Sequence, residues 1–415
     1  MNLNVTNLPS ANAEALAQRD DTGIPAQWCK ARLGEVGGLI RGVSYDKEDV
    51  CDAPAPGHVP VLRATNVQNS GLVLDSDLVY VKQERISARQ RLRPDDIVIA
   101  MSSGSKAIVG KAAQLTGDWQ GSFGAFCAVF RMDTDQADRR FTSYVFQSDS
   151  YRAHISTAAR GTNINNLTLE HVLGYEFLLP TLPEQRAIAC VLRTLREAIA
   201  ARQREMELER ERKAALMQHL FTHGTRGEPT KMTEIGEMPA SWRIVQLGDL
   251  CTFKTGKLNS EASVPGGKYP FFTCSQETFR IDSYSFEQEA ILLAGNNAQG
   301  KYSVKHYVGK FDAYQRTYVI TIAAPSALDY RYLLYNLSLQ LDLLRIHSLG
   351  ALTKFLTTNI ISSLPLRLPT KDEQETIAHM LTACDSRATT LECETALLTE
   401  LYGIESGIFC TLREG

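Results

Sequence analysis

Gly104-Ser105-Lys106-Ala107-Ile108-Val109-Gly110-Lys111-Ala112 has the residue types of a phosphate-cradling loop, with glycines for close backbone approach and lysines for charge. Its glycines stand one residue too far apart, and Ala112 sits where Ser or Thr must hold magnesium, so nucleotide binding is excluded. Glu211-Arg212-Lys213 has the E-x-K spacing of a nuclease core, but it lies in a charged helical run rather than on a strand and reads as a solvated face. His219 and His223 share a helix face at i, i+4, with no cysteine or carboxylate completing a zinc set. The chain has no Pro-Pro pair, which the [DNS]-P-P-[YF] element of an adenine methyltransferase requires, and no G-x-S-x-G or H-E-x-x-H string. We expect a non-catalytic chain with no metal or cofactor of its own.

What remains are two sets of residues that can read nucleic acid. The first holds Arg63, Lys82, Arg85, Arg89, Arg91 and Arg93, followed by Ser102, Ser103, Ser105 and Lys106. The second holds Lys254 and Lys257, then Asn296, Asn297, Gln299 and Lys301. Arg and Lys neutralise phosphates and reach guanine O6/N7, while Asn and Gln can bond adenine bidentately. Any one of these residues suits an ordinary solvated loop. Their occurrence as two corresponding sets favours double-stranded DNA as partner.

The elements that must carry these sets repeat. Pro25-Ala26-Gln27-Trp28 with Leu33-Gly34-Glu35 returns as Pro239-Ala240-Ser241-Trp242 with Leu247-Gly248-Asp249, 214 positions on. Leu179-Pro180-Thr181-Leu182-Pro183-Glu184-Gln185 returns as Leu368-Pro369-Thr370-Lys371-Asp372-Glu373-Gln374, 189 positions on. A fixed order of two repeated markers means two homologous halves, the second shorter by 25 residues. In each half, short β-branched or aromatic runs predict strands: Val59–Leu62, Leu78–Val81, Asp96–Ala100 and Ala125–Phe130, then Tyr269–Thr273, Ala290–Ala294 and Arg316–Ile322. Short helices are expected at Thr142–Ala158 and Tyr330–Ile346.

After each L-P-T-x-x-E-Q marker, apolar residues recur at helical spacing. Ile188, Leu192, Leu195, Leu216 and Leu220 mark a helix over Glu184–Phe221, and Ile377, Leu381, Cys384, Leu391, Leu398 and Tyr402 mark a second. The first carries 8 basic and 6 acidic residues between 181 and 222, whereas 370–415 holds 3 against 9. Opposite charge and matched length predict that the two pack together. The expected fold is α+β: two repeated mixed α/β domains held apart by a pair of long antiparallel helices with pseudo-twofold symmetry. Its parts are an arm over 1–21, a domain over 22–180, a helix over 181–222, a linker over 223–237, a domain over 238–369 and a helix over 370–415.

The net charge of −3 hides an uneven distribution, since 238–369 holds 13 Lys/Arg against 9 Asp/Glu. The nine cysteines are scattered and form no C-x-x-C pair, which argues against disulfides and a structural zinc. No run of eighteen apolar residues and no export signal stand in the sequence, so a cytoplasmic protein with no membrane partner is expected.

These strings resemble those of the specificity subunit of type I restriction-modification systems, from Ile24 to the end of the chain. The resemblance rests on the L-P-T-x-x-E-Q-x-x-I-A repeats, the P-x-x-W-x-x-x-x-L-G strings and the linker Leu220-Phe221-Thr222-His223-Gly224-Thr225-Arg226-Gly227-Glu228-Pro229-Thr230. Gly121-Ser122-Phe123-Gly124-Ala125-Phe126-Cys127 and Gly161-Thr162-Asn163-Ile164-Asn165-Asn166-Leu167 also fit, while Gly350-Ala351-Leu352-Thr353-Lys354 lacks the Asn-rich form. It implies two target recognition domains, each reading half of a split DNA sequence, with the helices setting the gap. It further implies two methyltransferase subunits and restriction-translocation subunits as partners, which would carry S-adenosylmethionine and ATP. Asn163, Asn165, Glu184, Gln185, Glu373 and Gln374, within the repeated strings, are the residues it suggests for partner contact. A helical assembly adaptor that reads no DNA is the alternative.

Overall fold

The computed structural model describes residues 25, 27–68, 71–105, 107–159, 166–297, 302–350 and 354–410. They fall into two compact units, one drawn from Met1–Ala201 with Thr395–Gly415 and the other from Arg202–Glu394. The division lies inside both long helices, Leu182–His223 and Lys371–Cys410, each of which therefore contributes one part to each unit.

In the first unit, an antiparallel sheet has the strand order Gly37–Arg41, Cys127–Met132, Ile97–Ala100, Ala112–Gln114. Its middle strands, AVF and IVIA in core, are buried on both faces, hence nearly continuous apolar runs. A second sheet holds Ser122–Phe123, His58–Leu62, Val79–Lys82 and Val50–Cys51, with the first pair parallel. A two-stranded ribbon pairs Cys29–Arg32 with Glu176–Leu179 and so brings the start of the domain beside the start of the central helix.

The second unit repeats this plan. Cys251–Thr255, Thr317–Ile322 and Phe286–Ala294 take the places of the first three strands, and Arg243–Gln246 pairs with Pro365–Leu368 as the ribbon. Most of the 25-residue contraction is already complete at the third strand, because Cys29, Gly37 and Ala100 correspond to Arg243, Cys251 and Ala294.

Each expected short helix is in fact two. Arg139–Gln147 and Asp149–Ala159 are separated by Ser148, which is extended and buried, its hydroxyl donating to the Val145 carbonyl at 2.8 Å. Tyr330–Leu339 and Leu341–His347 are separated by Gln340, whose amide donates to the Pro365 carbonyl at 2.9 Å. At Ser148 a local side-chain bond to the preceding turn competes with the helical ladder, whereas Gln340 is held by a carbonyl distant in sequence, and a pattern of apolar spacing registers neither break.

The long helices pack antiparallel in the second unit: Arg202 meets Glu394 at 2.9 Å, Arg210 meets Glu392 at 3.3 Å and Lys213 meets Asp385 at 2.5 Å. These half-exposed pairs are worth roughly 0.2–1 kcal/mol each. Burial of Leu220, Ile377 and Leu381 in the same core, at roughly 1.5–3 kcal/mol per side chain, does more of the holding. In the first unit, Ile188, Ala189 and Leu192 enter the core and Tyr402 packs against it.

Candidate nucleic-acid interface

In both units three strands finish or begin at the same sheet end. In the first, Arg41 ends one strand opposite Ala128, and Ala100 ends another opposite Cys127. In the second, Thr255 lies opposite Tyr318 and Ala294 opposite Thr317. A glycine follows the first of these strands each time. A Cβ on Gly42 would stand 2.0 Å from the Gly124 carbonyl oxygen, and one on Gly256 would stand 1.7 Å from that of Ala313. Only glycine lets the chain pass so close to the turn it crosses. The parallel bridges Val43 to Gly124 and Leu258 to Tyr314 follow directly.

Towards the opposite end of these strands, where Arg131 lies across from Gly38 and Phe130 from Ile97, Arg131 donates to the buried Asp96 carboxylate at 2.6 Å and to the carbonyls of Arg89 and Arg91 at 3.1 and 2.9 Å. Gln90 donates to the Arg41 carbonyl at 3.2 Å and Ser122 donates to the Gln90 carbonyl at 2.7 Å. These bonds fix the 89–91 segment against the strand ending at Arg41. Among the described residues no ion pair engages Arg41, Arg89, Arg91 or Arg93, so their charge is available to an outside anion.

The other basic residues expected here are spent locally. Arg63 pairs with Asp77 at 2.8 Å, while Arg85 and Lys82 reach the buried Asp49 at 2.9 and 3.4 Å. Burial alone would raise the Asp49 carboxyl, but the Asp46 amide, Arg85 and Lys82 outweigh it and hold it below the usual carboxylate range. Ser102 forms a bridge with Asn166, and both line a cleft of about 330 Å³ shared with Arg41 and Phe126. Phe126 is 67% exposed, and its carbonyl accepts from the Met101 and Ser102 amides. Ser103 is half-buried and Ser105 exposed, on the loop that follows.

At the second sheet end, Asn296 and Asn297 pair with Phe355 and Lys354 in a short ribbon. The Gly295 amide donates to the Arg316 carbonyl at 2.8 Å, and Gln315 bonds Asn259 at 2.8 Å, which places Lys257 and its loop beside the same turn. Lys254 is exposed on the edge strand of the sheet. Arg316, Gln315 and Lys354 were not singled out from sequence, nor were Arg41 and Phe126. The signal was there: at an offset of 190 residues Phe126 and Arg316 occupy one turn. Lys106, Gln299, Lys301, Asn163 and Asn165 lie outside the described residues.

Three of the four E-Q residues expected to meet partners are buried within the chain. Gln185 and Gln374 are fully buried and Glu373 is 2% exposed, so their bonds are spent within the chain. Gln185 accepts from the Asp138 amide at 2.6 Å and donates to the carbonyls of Gln136 and Pro180 at 3.2 and 2.8 Å. Gln374 repeats this on Asp329, Ala327 and Pro369 at 2.9, 2.8 and 3.1 Å. Asp138 and Asp329 each cap the following helix by accepting two backbone amides. The glutamine thus ties the long helix to the helix of its own domain.

The glutamates join the two repeated markers. Glu373 accepts from the Thr225 amide at 2.9 Å and from the Trp242 indole at 3.3 Å. Burial would raise the Glu184 carboxyl, but bonds from Thr181, Gln27 and Trp28 hold it below the usual range. Glu184 keeps an exposed edge, with Gln27 donating to it at 3.1 Å.

Comparison with known proteins agrees with this doubled arrangement. The family model described as "Type I restriction modification DNA specificity domain" matches twice, over residues 25–210 and 239–400. The specificity subunit of the type I restriction enzyme StySPI of Salmonella potsdam is 29% identical over 283 residues, covering 68% of this chain and 60% of that protein. That of EcoKI from Escherichia coli K12 is 40% identical over 172 residues, 41% of this chain and 37% of that one. The matched stretches thus span less than two thirds of these relatives. Among solved structures, the type I restriction-modification S subunit of M. genitalium shares the fold with a TM-score of 0.63 at 16% identity, covering 93% of this chain and 96% of that one. With both matched segments carrying the same sheet end, the same ribbon and the same glutamine tie, this chain belongs to the family of type I restriction-modification DNA specificity domains.

Proposed function

We propose that the chain is the DNA-sequence-specificity subunit of a type I restriction-modification complex, reading a bipartite duplex target with one domain per half-site. The observation that carries this reading is the recurrence of one polar, cationic sheet end in two units built on the same plan, with different residues at corresponding positions. Arg41, Arg89, Arg91, Phe126 and Ser102 face one half-site; Asn296, Asn297, Lys257, Arg316 and Lys354 face the other. Guanidinium and carboxamide groups on loops suit the donor and acceptor pattern of a major groove, and their difference between the units suits two unlike half-sites.

In this reading the chain is non-catalytic and works in the cytoplasm. Methyl transfer and cleavage belong to methyltransferase and restriction-translocation subunits, with S-adenosylmethionine and ATP bound there. Among the described residues no helix is long and apolar enough to cross a membrane. Exchanging residues 24–178 for those of another family member is expected to change one half-site of the methylated sequence and leave the other intact, read by single-molecule sequencing of DNA from cells expressing the complex. A change in both halves, or in neither, would overturn the two-reader assignment.

A further inference from the structure

We propose that the first unit carries a carboxylate-binding site for a partner protein, formed by Arg140, Arg193, Arg196 and Tyr144. The inference rests on the reading that this chain assembles with methyltransferase subunits, and it names where and by what chemistry one of them is held. The four residues line a cavity of about 430 Å³ that also has an apolar wall containing Leu72 and Leu115. Arg140 and Tyr144 come from the helix Arg139–Gln147, Arg193 and Arg196 from the central helix. One carboxylate, Glu197, also lines the cavity and pairs with Arg193 at 3.7 Å. Three guanidiniums against one carboxylate leave the cavity cationic.

The second unit shows what such a place is built to hold. Tyr335 stands six residues after the capping Asp329, as Tyr144 does after Asp138, and Asp385 falls at the repeat position of Arg196. There the Tyr335 hydroxyl donates to one Asp385 oxygen at 2.7 Å, and Lys213 reaches the other at 2.5 Å while lying over the Tyr335 ring. The second unit thus supplies its own carboxylate to the tyrosine. The first replaces that aspartate with Arg196, whose guanidinium donates to Gln147. Burial pushes the Tyr144 hydroxyl above its ordinary pKa, against the opposing pull of Arg196 and Arg193, so it stays a donor. An Asp or Glu side chain entering from outside would meet that hydroxyl and planar guanidiniums suited to bidentate bonds, with its methylenes on the apolar wall.

The test uses the full chain with Arg140→Glu and, separately, Arg193→Glu, titrated with the methyltransferase subunit of the same system. Both residues are exposed, so neither substitution disturbs the core, and an unchanged thermal midpoint checks this. Each is expected to weaken one methyltransferase binding event by about tenfold or more and leave the second unchanged, with duplex affinity unaltered. A charge-reversed acidic residue in the methyltransferase that restores binding would identify the partner carboxylate. Unchanged binding of both methyltransferase copies by the variants overturns the site while the specificity reading stands. Loss of duplex affinity alone would make this a phosphate site and also overturn it. Failure of the unsubstituted chain to bind the methyltransferase at all would overturn both.

Discussion

The two units hold corresponding strands by different means. In the first, Ala112–Gln114 extends one sheet and Ser122–Phe123 the other, with a turn at Gly117 (φ +87°) between them. In the second, the single strand Val304–Ala313 pairs antiparallel with Phe286–Ala294 and, at its far end, parallel with Tyr269–Phe272, so six strands form one sheet. The first unit buries an ion pair, Arg131 with Asp96. At the repeat positions the second has Thr321, which accepts from Gln288 at 2.8 Å, and fully buried Ala290. Side chains that stabilise the domains have diverged even to the point of exchanging charge for neutrality. The bonds that seat each domain on its helix have not.

This contrast is open to measurement. The largest effect is expected from Arg131→Ala, which leaves Asp96 buried without its cation and frees the 89–91 segment, at a cost of about 3–5 kcal/mol. Hydrogen exchange should show lost protection over Ile97–Ala100 with the second unit unaffected, and recognition lost at one half-site only. Protection unchanged at Ile97–Ala100 would mean that the ion pair does not hold the first sheet.

Trp242→Ala comes next. Trp242 is 1% exposed and bonded to buried Glu373, so its truncation should cost the second unit about 3–5 kcal/mol. Trp28→Ala, at the half-buried repeat position, should cost the first unit less. Urea unfolding followed by exchange in each unit separately is the appropriate measurement, since two units need not unfold as one. Equal costs would show that the marker works identically in both halves.

The smallest effect concerns acid. The folded-state pKa of Glu184 is depressed, so its contribution is complete above the ordinary glutamate pKa of about 4.3 and is lost as pH falls through the depressed value. Glu184→Gln should therefore be less stable than the unsubstituted chain at neutral pH, with the difference shrinking at acid pH. A gap that stays constant on acidification would remove Glu184 ionisation from the account.

Much of this was legible in the chain because repetition needs no structure to be seen. The markers around Trp28, Trp242, Gln185 and Gln374 revealed the doubling and placed both long helices, and the apolar runs at Asp96–Ala100 and Ala290–Ala294 placed the central strands. The long strand Val304–Ala313 is not legible in sequence because its first seven residues, VKHYVGK, are no more than half-buried and form neither an apolar run nor a clean period of two. The roles of the basic residues were not legible either. Whether Arg85 is free or holds Asp49, and whether Arg131 reads DNA or pins the backbone of Arg89, depends on neighbours far away in sequence. Burial of the E-Q pair was hidden for the same reason, since a glutamate beside a glutamine has the composition of a surface.

The glutamine tie has a consequence for how such chains change. Every partner of Gln185 and Gln374 is a main-chain amide or carbonyl, so the junction tests the path of the backbone and is indifferent to side chains. A domain of unrelated surface that brings a capped helix to this point would be accepted as it stands. The joint works as a standard coupling, and a lineage can exchange what it reads without rebuilding what holds the reader.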